Sequence, residues 1–230
     1  GFKMLNLAEM REYEPHVQGI KGFYVPQTGI INYKQVCEKY AEKVREKGGE
    51  LIFGQKAIEI RKNENNSIVI TEQNYYETKL VINCAGLYSD KVARFTQKEP
   101  LHLRIVPFRG EYYEIKPEKQ YLVKNLIYPV PDPRFPFLGV HFTRMTDGSI
   151  ECGPNAVFTF KREGYGKTDF DLKDTMDALA YGGTWKLFMK NMSYGINEYR
   201  RAFSKRLFLR TLQRLIPSLT MDDLKPGRAG

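Results

Sequence analysis

Three short segments hold the side chains best able to do chemistry. In Val106-Pro107-Phe108-Arg109-Gly110-Glu111-Tyr112-Tyr113, an arginine precedes a glycine inside a strand-like run. Glycine weakens a strand unless another group must approach closely, and a guanidinium is a planar fork shaped for a carboxylate. The plainer reading is an edge-strand arginine beside a bulge. In Leu138-Gly139-Val140-His141-Phe142-Thr143-Arg144, His141 alternates with Val140 and Phe142 and so points to the opposite face from them. One face of an antiparallel sheet packs while the other is free to line a cleft. An imidazole in such a cleft can take up a proton near neutral pH; the plainer reading is a hydrogen-bonded structural histidine. In Ile150-Glu151-Cys152-Gly153-Pro154-Asn155-Ala156, a strand end runs into a tight turn and Asn155 offers an amide.

A fourth segment, Leu80-Val81-Ile82-Asn83-Cys84-Ala85-Gly86-Leu87-Tyr88-Ser89-Asp90, has a different character. An apolar run ends in Ala85-Gly86, and Ser89-Asp90 opens an amphipathic stretch. Strand–glycine–helix junctions are where α/β proteins bring backbone close to a nucleotide. The phosphate-binding G-x-G-x-x-G that should face such a junction occurs nowhere in the 230 residues. Neither does a P-loop, a Ser-His-Asp arrangement or a metal-ligand spacing. Cys37, Cys84 and Cys152 are too few and too scattered for structural zinc, and they read as reduced thiols in a cytosolic setting.

With 42% hydrophobic and 27% charged residues, the chain has the composition of a globular domain. It contains no apolar run of about 18 residues, the length that would suggest a membrane span. It does not begin with Met, so the first residue is expected to follow a processing step or to lie inside a longer protein. The net charge of +9 reads either as a lysine-rich solvated surface or as a match for an anionic partner. Arg200, Arg201, Lys205, Arg206, Arg210 and Arg214 form its densest cluster, and no nucleic-acid motif accompanies them.

The elements that must position these residues follow from pattern. Residues 5–15 suggest a helix ending before Pro15, and 22–25 a strand. Asn32 caps a helix in which Val36, Tyr40, Ala41 and Val44 recur at helical spacing and which Gly48-Gly49 ends. Residues 51–53 and 80–84 read as buried strands, with a hairpin of 57–61 and 67–71 between them. Strand-like stretches at 105–113, 126–129, 137–143 and 149–152 suggest an antiparallel sheet. Helices are expected at 171–179, 184–190 and 196–215, capped by Asp171 and Thr184 in the first two cases. Residues 225–230 read as a loop. The fold class is therefore mixed α+β and α/β.

Taken in order, Val25–Tyr33, Asn83–Asp90, Phe108-Arg109-Gly110-Glu111-Tyr112, Leu126-Ile127-Tyr128-Pro129-Val130-Pro131-Asp132-Pro133, residues 136–144, Gly153-Pro154-Asn155-Ala156 and residues 160–165 resemble the L-2-hydroxyglutarate oxidase/dehydrogenase family. That family belongs to the flavin-dependent D-amino-acid-oxidase-like superfamily. The Pro-Val-Pro-Asp-Pro and Leu-Gly-Val-His-Phe-Thr pieces are specific, whereas the Ala-Gly piece is shared by many flavoproteins.

The resemblance implies FAD-dependent oxidation of L-2-hydroxyglutarate to 2-oxoglutarate, with electrons passed to oxygen or a membrane quinone pool. It implies that residues 1–29 lead into the substrate domain, 30–96 are part of the FAD-binding domain, 97–220 form the substrate-binding domain, and 221–230 lead back to a further flavin segment. The Gly-rich turn would precede the chain and a closing flavin segment would follow it, so the isolated chain is expected to hold little FAD and to be inactive. Ala85, Gly86, Leu87 and Asp90 would lie at the cofactor. His141 would be the base beside the substrate hydroxyl, Arg109 and Arg144 the cations for a small dianionic 2-hydroxy acid, and Tyr112, Tyr128 and Asn155 further contacts. His141 and Arg144 are three apart and face opposite sides of a straight strand, which ranks Arg109 above Arg144. The expected location is cytoplasmic, with the basic cluster available for peripheral contact with the membrane's inner face. Two rivals stay open: a sister flavoprotein acting on an amino acid or glycerol 3-phosphate, and a non-catalytic binding module.

Overall fold

The computed structural model describes residues 1–97, 101–131, 133 and 139–230. Its main sheet is built from β6 (Phe108–Ile115), β7 (His141–Arg144), β8 (Ile150–Phe158) and β9 (Leu224–Pro226), all antiparallel, in the order β7-β8-β6-β9. One face of this sheet is sealed by helices. Phe142 and Val140 beside His141, Ile150 and Cys152 on β8, and Ile115 on β6 pack with Phe208, Leu209 and Leu212 of α7 (Lys205–Leu212). Burying side chains of this size stabilises by about 1.5–3 kcal/mol each, and this layer is the centre of the core. α6 (Met192–Ala202) lies beside α7 over β8.

Two smaller sheets flank this unit. β1 (Lys3–Asn6) and β2 (Lys21–Tyr24) pair antiparallel around α1 (Leu7–Tyr13). In α1 the Asn6 side chain accepts from the Glu9 N–H while the Glu9 carboxylate accepts from the Asn6 N–H, a reciprocal cap. The helix stops before Pro15, as its sequence predicts. The buried Glu14 carboxylate then accepts from the Lys124 N–H and the Asn125 side chain, tying this hairpin to the main unit. β3 (Ala57–Lys62), β4 (Ser67–Thr71) and β5 (Tyr75–Thr78) form a meander; its first two strands are the predicted hairpin, and β5 is additional.

α2 (Tyr33–Glu46) is capped by the Asn32 side chain as expected, and Gly48 adopts the left-handed conformation that ends it. Its apolar stripe is formed but not buried, since Tyr40 and Val44 are exposed. The strands expected at 51–53 and 80–84 do not form: Phe53, Leu80 and Ile82 are 79%, 72% and 75% exposed. A parallel strand exists only through its neighbours, and none of the described strands runs beside either segment.

Other departures have local causes. The helix expected over 196–215 is two helices, broken at Phe203 and restarted by Ser204, whose hydroxyl accepts from the Leu207 N–H. α4 (Leu172–Leu179) has the expected Asp171 cap, but α5 (Gly182–Lys190) begins before Thr184, whose hydroxyl donates to the Ala178 carbonyl. Residues 126–129 contribute only an isolated bridge from Ile127 to Phe142. In the strand predicted at 137–143, Phe137 and Leu138 lie outside the described residues, as do Asp132 and Pro136 of the motif around it. The tail at 225–230 is no free loop. It continues along the edge of β6 beyond β9, with Gly227 N–H donating to the Tyr112 carbonyl and Gly110 and Gly230 exchanging both backbone bonds. β8 likewise does not end at Cys152; it passes through the cis Gly153-Pro154 bond to Phe158, with a register shift against β6.

That irregularity needs glycine. Gly153 has φ +153°, and a Cβ there would stand 2.6 Å from Tyr112 Cδ1 and 2.9 Å from the Glu111 carbonyl oxygen. Because backbone is one of the obstacles, Gly153→Ala is expected to cost about 1–3 kcal/mol, the usual range for overpacking, read as a lowered urea midpoint at unchanged slope. Wild-type stability would contradict the assigned close approach.

Candidate active site

The period-two alternation of the main sheet sorts the predicted site residues into two groups. Arg109, Asn155 and Arg144 lie on the helix-covered face. Arg109 Nη2 donates to Glu111 Oε1 at 2.6 Å and Nη1 donates to the Gly166 carbonyl, while Nε is buried with no hydrogen-bond partner. Asn155 is fully buried; its amide donates to the Glu198 carbonyl and its oxygen accepts from Arg201 Nε. Arg144 Nη1 donates to the Val123 carbonyl. On the opposite, helix-free face lie His141, Tyr112 and Tyr128.

His141 is 8% exposed and sits opposite Gly153 in the β7–β8 ladder. Tyr128 stacks on its ring, with centroids 4.1 Å apart and planes 18° from parallel, and the Tyr128 hydroxyl is 3.1 Å from Thr143 Oγ1. His141 Nδ1 is 2.9 Å from the Gly139 carbonyl oxygen. A carbonyl can only accept, so the neutral ring carries its hydrogen on Nδ1 and presents Nε2 as an acceptor. Burial pushes the imidazole below the ordinary histidine value of 6.5, against a smaller upward pull from the Gly139 carbonyl. The neutral, proton-accepting form is therefore favoured.

The rest of this face is charged in a pattern that the sequence did not show. Burial raises the Tyr112 hydroxyl pKa, with Glu151 and Tyr128 adding to the rise. Glu151 is itself pushed up, first by burial and then by the Glu114 and Asp147 carboxylates, while Arg228 pulls it back. Glu114 is engaged by Lys225 at 2.8 Å. Arg228, in the tail that runs beside β6 after β9, is thus electrostatically coupled to Glu151 on this face, a coupling that nothing in the local sequence signals.

The cofactor candidates are grouped elsewhere, at a single turn. Ala85 leads into a 3₁₀ turn, Gly86–Tyr88, which continues as α3 (Ser89–Ala93). The Asn83 side chain braces it by accepting from the Ala85 N–H and donating to the Ser89 carbonyl. Gly86 has φ +53°, and a Cβ there would meet nothing within 4 Å. The turn is therefore open at Gly86, and Leu80 and Ile82 of the preceding segment are exposed. Asp90 does not share that exposure: it is 2% exposed and bound by Arg162. Burial alone would raise its pKa, but Arg162 and the N–H groups of Ile105 and Lys91 outweigh that and hold it below the usual carboxylate value.

The chain belongs to the DAO family of FAD-dependent oxidoreductases, which it matches over residues 1–230. It is 50% identical over 230 residues to the L-2-hydroxyglutarate dehydrogenase of Indibacter alkaliphilus, covering all of this chain and 58% of that protein. It is 40% identical over 227 residues to the Escherichia coli K12 L-2-hydroxyglutarate dehydrogenase (98% of this chain, 54% of that one). With the human mitochondrial L-2-hydroxyglutarate dehydrogenase it shares 43% over 242 residues, 100% of this chain and 52% of that protein. The chain thus spans little more than half the length of these relatives. Among solved structures, the FAD-bound L-α-glycerophosphate oxidase of Mycoplasma pneumoniae superposes with a TM-score of 0.68 at 17% identity, over 100% of this chain and 52% of that one. The L-proline dehydrogenase of P. horikoshii gives 0.64 at 16%, over 99% and 51%. These two show the fold.

The chain has three histidines, so each is separable in an NMR titration. His141 is expected to titrate below 6.5, and Tyr128→Ala to raise it by uncovering the ring. A His141 titration at or above the ordinary value would contradict the burial described.

Proposed function

We propose that the protein carrying these residues oxidises L-2-hydroxyglutarate to 2-oxoglutarate with FAD, and that this chain supplies the substrate side of the site. Three relatives sharing 40–50% identity across essentially the whole chain bear that activity in their names. The structural observation that carries the reading is His141, with Nδ1 committed to Gly139, Nε2 left as acceptor, and the ring on the open face of the sheet.

The chemistry makes two demands. Oxidation of a secondary alcohol to a ketone removes the hydroxyl proton and, from the same carbon, a hydrogen with its electron pair. FAD, when bound, accepts that pair and hydrogen as hydride. The protein must take the proton, and His141 Nε2 is the proposed acceptor. Protonation then places a cation against the Tyr128 ring, a favourable contact, and against the Gly139 carbonyl. The substrate also carries two carboxylates. Arg228 is the proposed cation for one of them, because its charge acts on Glu151 of this face while Lys225 is paired with Glu114. Tyr112 and Tyr128 offer hydroxyls on the same face. Arg109, Arg144 and Asn155 are proposed as supports: each is spent on backbone or on a helix on the covered side.

Ala85, Gly86 and Leu87 are proposed to lie against the cofactor through the open side of their turn, with Asp90 behind them as an anchor. FAD pyrophosphate binding relies on a Gly-rich strand–helix turn, which these 230 residues lack. The 230-residue chain alone is therefore expected to purify without stoichiometric flavin absorbance, and a yellow one-to-one complex would contradict this division of labour. Among the described residues no helix is long and apolar enough to cross a membrane. Arg200, Arg206, Arg210 and Arg214 are exposed on α6, α7 and the turn that follows, and they are the proposed surface for any peripheral contact with anionic lipid.

His141→Ala in the full-length enzyme is expected to lower kcat by about 10²–10⁴-fold, the range for a lost acid–base group, with FAD content unchanged. In the wild type, the midpoint of the acid-side decline in kcat/KM should lie below 6.5, because His141 stays neutral to a lower pH than an ordinary histidine. An unchanged rate in the variant would remove His141 from the mechanism.

A further inference from the structure

The glycine turn and the start of α3 are held by two consecutive residues through five contacts. Arg162 Nη1 donates to the Leu87 carbonyl at 2.6 Å and to Asp90 Oδ1 at 2.8 Å, and Nη2 donates to Asp90 Oδ2 at 3.2 Å. The Arg162 guanidinium also lies 5.8 Å from the centre of the Tyr88 ring, and the Tyr88 hydroxyl donates to Glu163 Oε2 at 2.9 Å. The Arg162 side chain is 3% exposed and that of Asp90 is wholly buried. The grip has its own foundation: Arg162 N–H donates to Asp174 Oδ2, and Nη2 reaches Asp177 Oδ2 at 3.3 Å, both carboxylates on α4. Arg162 follows closely on β8, the strand whose Gly153 stands opposite His141. The segment therefore runs directly from the sheet that bears the proposed base to the turn proposed to meet the cofactor.

This is more than packing requires. A buried ion pair seldom outperforms a well-packed apolar replacement in stability, whereas it does fix geometry. A guanidinium is the one side chain that can hold a carboxylate with both nitrogens and still donate to a neighbouring carbonyl. At Gly86 the same turn is open, with nothing within 4 Å of where a Cβ would stand. The turn is thus fixed at Leu87, Tyr88 and Asp90 while Gly86 is left uncovered.

We infer that Arg162 is a positioning residue, which sets the Ala85–Leu87 turn at a fixed distance from the His141 face of the sheet and so aligns cofactor and substrate. This rests on the proposed function for its kinetic consequence, though not for its structural one. Small misplacement of reacting partners costs rate far more than affinity.

The test uses the full-length FAD enzyme with Arg162→Lys, which keeps the buried charge but loses the fork, and Arg162→Gln. In Arg162→Lys, amide hydrogen exchange over residues 83–90 is expected to quicken by about tenfold as the turn loosens. The flavin absorbance bands should shift. The rate of flavin reduction at saturating L-2-hydroxyglutarate should fall by about 10²-fold with KM little changed. Arg162→Gln should show the same changes, larger. Wild-type exchange over 83–90 and wild-type flavin bands in Arg162→Lys would overturn the inference. Those two readouts need no substrate. If they change as expected while neither wild type nor variant oxidises L-2-hydroxyglutarate, the proposed function fails and the positioning role of Arg162 stands.

Discussion

The pairing of β8 with β7 on one side and β6 on the other constrains everything else in this chain. An antiparallel ladder fixes the direction of each side chain by counting in twos. Once Phe142, Ile150 and Cys152 are committed to the core against α7, His141 has no choice but the opposite face. Tyr112 follows through its contact with Gly153. The same count sends Arg109, Arg144 and Asn155 toward the helices. The tail joins this arrangement as an edge strand on β6 and brings the Arg228 charge to bear on Glu151. The geometry of the proposed chemistry is thus inherited from core packing on the other side of one sheet.

This explains how much of the site was legible in the sequence. The alternation Val140-His141-Phe142 was enough to place His141, because its neighbours are strongly apolar. The opposed facing of His141 and Arg144 was readable in the same way. The placement of Arg109 was not, since its strand carries no alternation of apolar residues to set its facing: Arg109, Glu111 and Tyr113 share the covered face, two of them charged and paired with each other. Asn155 reads as a turn residue because Gly153-Pro154 signals one, yet pairing on both sides carries β8 through that dipeptide. Arg162 and Arg228 gave no local signal: their meaning lies in partners 72 residues away, in the case of Asp90, or across neighbouring strands.

The fold was legible where local chemistry decides and illegible where distant partners do. The caps at Asn32 and Asp171 and the β3–β4 hairpin are set by residues three or four apart or facing across one turn. The apolar runs at 51–53 and 80–84 carry the composition of buried strands but find no partner among the described strands and remain exposed. Their hydrophobicity, and that of the unburied stripe on α2, is matched to a larger structure than 230 residues form. That agrees with the chain's covering little more than half of its relatives' length.

The central claim is that substrate is held on the helix-free face of the main sheet, with its reacting oxygen at His141. The most direct measurement is a crystal structure of the full-length FAD enzyme with 2-oxoglutarate bound. The expected result places the C2 oxygen within hydrogen-bond reach of His141 Nε2 and a carboxylate at Arg228. A 2-oxoglutarate bound instead on the helix-covered face, at Arg109 and Asn155, would contradict it.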